Sequence, residues 1–199
     1  MPPPTARTAV NKPSEADAAD VPRRVTVRVY DLYGLTDVER QAALTVTTEA
    51  FAVAHVALTW IDCTGDGRDP SCADLLPHGV MLLRLTTHRH ADPHILGTAM
   101  VQPGGPNILA TVYTPALVDR AAATQIPVTT IVGRVAAHEI AHLLLGTPGH
   151  SSTGLMRPDW NIRRTNPEDW RFSSRDAEAL QRPRFANARE RAAAVRTTN

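Results

Sequence analysis

His138-Glu139-Ile140-Ala141-His142-Leu143-Leu144-Leu145-Gly146-Thr147-Pro148-Gly149-His150-Ser151-Ser152-Thr153-Gly154-Leu155-Met156 contains an H-E-x-x-H pattern, then a glycine, a third histidine and a methionine. Residues four apart on an α-helix lie one turn above each other on the same face. His138 and His142 therefore present two imidazoles to one point, at a separation that a single Zn2+ ion bridges. Glu139 points about 100° round the helix from His138. That direction suits it to hold a water molecule and take its proton rather than to ligate the metal. In a chain with eight histidines, such a pattern arises by chance roughly once per hundred chains, so its surroundings decide its meaning.

Those surroundings are strongly apolar. Ile131, Val132, Val135 and Ile140 precede or interleave the motif and Leu143, Leu144 and Leu145 follow it, which reads as a buried helix beginning at Pro127. Two histidines and a glutamate inside such a helix need partners, because unpaired buried polar groups are costly, and a metal ion supplies them. Gly146 suits the positive φ of a helix end, and Pro148 blocks continuation. The chain must turn there, which can bring His150 back toward the same ion. Gly133, inside the helix, costs about 1 kcal/mol relative to alanine, and no chemical role is evident for it.

This arrangement resembles the metzincin clan of zinc peptidases. Its members carry two helix histidines, a glycine turn, a third histidine ligand and a methionine in a tight turn beneath the metal. His138, His142, Gly146, His150 and Met156 match those roles, and Glu139 matches the general base. The spacing departs from the usual pattern: the glycine and third histidine come four and eight residues after His142 instead of three and six. It is closer to a family of small metzincin-like proteins with H-E-x-G-H-L-L-L-G followed by H-S-x-T-G-x-M, in which Ala141 stands where glycine is commoner. The resemblance implies an α/β (α+β) zincin-like domain with a small twisted mixed sheet and an antiparallel edge strand. Two main helices lie above the sheet, and a small C-terminal subdomain contributes one helix. It also implies one Zn2+ per chain, and a peptide or protein as substrate.

Composition agrees with a single globular domain: 199 residues, 43% hydrophobic and 21% charged, with room for a core. A net charge of +1 gives no electrostatic case for nucleic acid or an acidic membrane, and no apolar run approaches the roughly 20 residues of a membrane helix. A monomer is expected. Residues 1–22, rich in Pro, Ala, Thr and Asp, read as a disordered lead-in without the apolar core of a signal peptide. The domain is expected over 23–183, with a polar, Arg- and Ala-rich tail over 184–199. No cysteine precedes the domain to hold the metal latent, and a role for Asp17 or Asp20 there is speculation.

Val25–Tyr30 alternates apolar and polar residues as a strand does. Asp31–Gly34 turns, and Thr36 with Glu39 forms a capping box that opens a helix to about Ala54. Val56–Ile61 is a second strand, and Val80–Leu85 a third, apolar enough to be central. Leu96–Val101 and Asn107–Tyr113 are further strands. By the metzincin resemblance Leu96–Val101 is the cleft-lining rim, with an ordinary hairpin as the alternative, and the small Gly97 and Ala99 permit close backbone approach. Ser173 with Asp176 reads as a second capping box, opening a helix through Leu180 that stops at Pro183.

Cys63 and Cys72 lie in a Gly-, Asp- and Pro-rich loop. They are too few for a zinc site and placed for a disulfide in an oxidising compartment, as in the resembling family. That pair leans toward an extracytoplasmic setting; otherwise a cytoplasmic one is expected. Asp62, Asp66 and Asp69 match no EF-hand spacing and read as solvated acids. His88, His90 and His94 read as exposed loop histidines near the cleft, while His55 and His78 are isolated. A rival ligand scheme replaces His150 with Glu168, Asp169 or Glu178. Two further alternatives keep the metal without hydrolysis: a catalytically inactive zinc-binding protein of zincin fold, and a structural zinc site with a fourth protein ligand.

Overall fold

The computed structural model describes residues 22–66, 68–102, 105–158 and 167–182. The lead-in over 1–21, Asp17 and Asp20 within it, the stop at Pro183 and the tail over 184–199 lie outside these residues.

Five strands form one sheet: β1 (Arg23–Asp31), β2 (Val56–Asp62), β3 (Met81–Thr86), β4 (Gly97–Ala99) and β5 (Leu109–Tyr113). Their spatial order is β2-β1-β3-β5-β4. The first four run parallel, and β4 pairs antiparallel with β5, placing Gly97 opposite Val112 and Ala99 opposite Ala110. Parallel pairing of β1 and β2 needs a crossover, and α1 (Asp37–Val53) provides it. Its start is the capping box: Thr36 Oγ1 accepts from the Glu39 amide at 3.3 Å, and the Thr36 amide donates to Glu39 Oε2 at 2.9 Å. The preceding turn closes on Asp31, whose carboxylate accepts from the amides of Tyr33, Gly34 and Leu35.

β3 sits at the centre of the sheet, with Met81, Leu83 and Leu85 buried. The edge strand is shorter than its apolar run suggests, three residues rather than six. A helix absent from the sequence reading, α2 (Thr114–Thr124), follows β5 directly. Its N-cap is Tyr113, with no side-chain capping bond, which removes the usual starting signal. Pro115 in its first turn was the remaining clue.

The motif helix, α3 (Val128–Leu145), is capped by Pro127 and ends at Gly146 with φ 59°. It is long and apolar enough to cross a membrane, at mean hydropathy 1.2, but 78% of it is buried inside the protein, where it forms the centre of the core. It packs against α1 at Gly133, where a Cβ would fall 2.5 Å from the Ala43 carbonyl oxygen and 2.7 Å from Val46 Cβ. Thr47 Oγ1 donates to the Gly133 carbonyl across the same contact, at 3.0 Å. The glycine that looks unfavourable within a helix is thus where the two helix backbones meet.

At the opposite edge of the sheet, Cys63 and Cys72 are joined by a disulfide. The buried Arg28 donates to the carbonyls of Ser71 and Asp74 beneath that loop. A short 3-10 turn (Pro167–Trp170) and α4 (Ser174–Gln181) complete the C-terminal part. Phe172 packs on Phe51 of α1 at 5.0 Å between ring centroids.

Candidate metal centre and cleft

Both helix histidines are held by main-chain carbonyls. His138 Nδ1 lies 2.8 Å from the Leu155 oxygen, and His142 Nδ1 lies 2.8 Å from the Thr147 oxygen. A carbonyl only accepts, so each Nδ1 carries the hydrogen and each Nε2 presents a lone pair. Those two Nε2 atoms face each other at 3.0 Å. Two lone pairs at that distance repel unless a cation lies between them. Two zinc–nitrogen bonds at a tetrahedral angle span about 3.3 Å, so the pair fits the ion with a slight opening. His150, exposed, completes the group, with one ligand atom from each of the three histidines lying within 4.8 Å of the others. Its ring centroid is 5.2 Å from that of His138 and 4.9 Å from that of His142. Three imidazoles are a donor set that suits zinc.

Electrostatics follow burial. Desolvation pushes the His138 imidazole down to about 3, with neighbouring His142 and His150 adding to the effect against the Leu155 hydrogen bond. His142 and His150 are lowered for the same first reason. Burial pushes the Glu139 carboxyl up to about 8.

The segment after His150 closes under the site. Gly154 takes φ 70°, and a Cβ there would meet the Arg171 carbonyl oxygen at 2.5 Å. The Leu155 amide donates to that same carbonyl at 2.8 Å, and the Ser151 amide donates to the Met156 carbonyl at 2.8 Å. Leu155 and Met156 are both buried. The methionine segment therefore reaches the metal centre through the carbonyl of its neighbour, Leu155.

A cleft of about 640 Å3 opens beside the triad, lined by Glu139, Val135, the three histidines and the edge-strand run Leu96–Ala99. His94 and Arg120 also line it.

The chain shares the archaemetzincin fold. The structure of archaemetzincin from Methanopyrus kandleri superposes with a TM-score of 0.57 at 16% identity, covering 80% of this chain and 95% of that one. A zinc-dependent peptidase from Methanocorpusculum labreanum gives 0.54 at 15% identity, covering 78% and 99%. No protein-family model matches the sequence, and no curated protein matches it significantly.

Within this archaemetzincin-like fold the rival carboxylates lie elsewhere. Glu168 pairs with Arg171 at 3.0 Å, Asp169 pairs with Arg157 at 3.2 Å, and Glu178 is exposed; none lines the cleft. Asp62 is engaged by Arg40, and Asp69 accepts from the Ser71 amide. Of the loop histidines, His88 is exposed and His90 packs against Tyr113 at 5.4 Å, while His94 reaches the cleft.

The second capping box is only half formed. Ser173 Oγ accepts from the Asp176 amide, but the Asp176 carboxylate accepts from the hydroxyls of Ser173 and Ser151 instead of the Ser173 amide. The sequence also gave no sign of the Thr147 and Leu155 carbonyls, since any residue supplies one. It missed Arg120 because its helix went unread.

Proposed function

We propose that this chain is a zinc-dependent endopeptidase, holding one Zn2+ through His138, His142 and His150 and using Glu139 as general base. The observation that carries the reading is the pair of Nε2 atoms facing each other at 3.0 Å, each imidazole fixed from behind by a carbonyl. Such backing hydrogen bonds orient metal-binding imidazoles and raise their basicity. Among the described residues the group has three members and no fourth side chain, which leaves a coordination position toward the cleft.

Zinc held by His138, His142 and His150 would supply Lewis acidity, which lowers the pKa of a water toward about 7. Glu139, on the next helix position, presents its carboxylate to the cleft. It takes a proton from the attacking water and delivers it to the nitrogen of the leaving amine, so the peptide bond is replaced by a carboxylate and an amine. Among the described residues β4 is the last strand of the sheet, and it lies beside the cleft. An extended peptide pairs with β4 as an added strand, which sets its scissile bond against the histidines. Met156 and Gly146 serve as structural supports, the first in the turn beneath the metal and the second at the end of the ligand helix.

Hydrolysis of an unfolded protein such as casein by the zinc-loaded chain tests this. Activity that disappears in Glu139→Ala, while zinc is retained, supports the peptidase. A zinc-loaded wild type that cleaves no peptide is instead an inactive zinc-binding protein of the same fold.

A further inference from the structure

The geometry assigns Asp176 of α4 as a positioning residue for His150, acting through the hydroxyl of Ser151. The inference rests on the three-histidine reading above. His138 and His142 are fixed twice, by their helix and by the carbonyls behind their rings. His150 has neither support. It is exposed, lies on an irregular segment, and its ring makes no hydrogen bond among the described residues. Its place is therefore set by the backbone next to it.

Ser151 holds that backbone at two points. Its amide donates to the Met156 carbonyl at 2.8 Å, and its hydroxyl donates to Asp176 Oδ1 at 2.8 Å. Asp176 is buried, at 7% exposure, and its other oxygen accepts from Ser173 Oγ at 2.7 Å. A residue serving only as a helix cap partner would turn its carboxylate to the Ser173 amide. Here the carboxylate joins α4 to the residue beside the third histidine. Charge-assisted hydrogen bonds of this kind are short and directional. Groups that orient metal ligands from behind change metal affinity by about 10- to 100-fold when removed.

Zinc titration of the metal-stripped full chain against a competing chelator tests the assignment. Ser151→Ala and Asp176→Ala should each weaken zinc binding about 10- to 100-fold. Ser151→Thr, which keeps a hydroxyl, should restore it. In a His150→Ala background, Ser151→Ala should add no further loss, because the residue it positions is gone. Ser173→Ala should lower thermal stability through the lost cap and weaken zinc binding less than Ser151→Ala does, because the Asp176 bond to Ser151 is kept. Should Asp176→Ala fail to fold, the Ser151 series decides alone. Wild-type affinity in Ser151→Ala, or an equal loss with and without His150, overturns the proposal. A wild type that binds no zinc refutes the metal reading separately. Amide hydrogen exchange of residues 147–151 in the metal-stripped protein then decides the positioning itself: faster exchange in Ser151→Ala supports it, and unchanged exchange refutes it.

Discussion

Gly97 on the edge strand faces Glu139 on the motif helix so closely that a Cβ at Gly97 would lie 2.7 Å from both Cγ and Oε1 of the glutamate. Val135 Cγ1 would be 2.8 Å away on the same side. The glycine lets the cleft-lining strand pass over the Glu139 side chain without displacing it. Gly97→Ala should therefore shift the Glu139 side chain and leave the histidines in place. Displacing a reacting group by about 1 Å can cost on the order of 100-fold in rate. We expect hydrolysis to fall by roughly 10- to 100-fold with zinc content unchanged. Full activity in this variant would show that the strand can yield.

Gly133 poses the same question for stability. Its α-hydrogen faces the Ala43 carbonyl and Val46 Cβ of α1, neither of which can rotate away. Gly133→Ala gains about 1 kcal/mol in helix propensity and meets an overpacking cost of about 1–3 kcal/mol. The midpoint of thermal unfolding should fall, and fall further in Gly133→Val. A higher midpoint in the alanine variant would remove the packing explanation.

Stability of the metal-stripped chain should depend on pH in two opposed ways. Glu139 is raised from 4.5 to about 8. The folded state therefore holds more protons than the unfolded one across that window, and stability is lost as pH rises through it. His138 is lowered from 6.5 to about 3. The folded state there holds fewer protons, and stability is lost as pH falls from 6.5 toward 3. Maximum stability should lie between about pH 4.5 and 6.5, where the two windows overlap. Thermal scans in chelator across pH 3 to 9 measure this directly. Glu139→Gln should flatten the alkaline arm, and an unaltered arm would locate the effect elsewhere.

The disulfide closes a loop with a sequence separation of nine residues. Loop entropy sets its contribution at about 2.5–3 kcal/mol. Reduction, or Cys63→Ser with Cys72→Ser, should lower stability by about that amount while zinc content holds, because neither cysteine lines the cleft. Loss of zinc on reduction would mean that the two ends of the molecule are coupled.

What the sequence disclosed and what it concealed divide along physical lines. Strands with strong alternation or apolar runs, the Thr36–Glu39 box and the long apolar motif helix carry residue-type signals, and the sheet with its antiparallel edge followed from them and from the metzincin resemblance. Helix Thr114–Thr124 carries only a first-turn proline, since its N-cap makes no side-chain bond. The backing of His138 and His142 by Leu155 and Thr147 uses carbonyls, which every residue possesses. The Asp176 carboxylate was legible as a local cap partner, but its bond to Ser151 spans 25 residues and depends on tertiary packing. Gly97 was legible as a close approach, though not which group it approaches.

The most direct test of the three-histidine site is zinc titration of the metal-stripped chain, with His150→Ala and Glu139→Ala in parallel. One tightly held zinc per chain is expected in wild type and in Glu139→Ala, with binding largely lost in His150→Ala. Binding in His150→Ala as tight as in wild type would contradict the three-histidine site and return the third ligand to another residue.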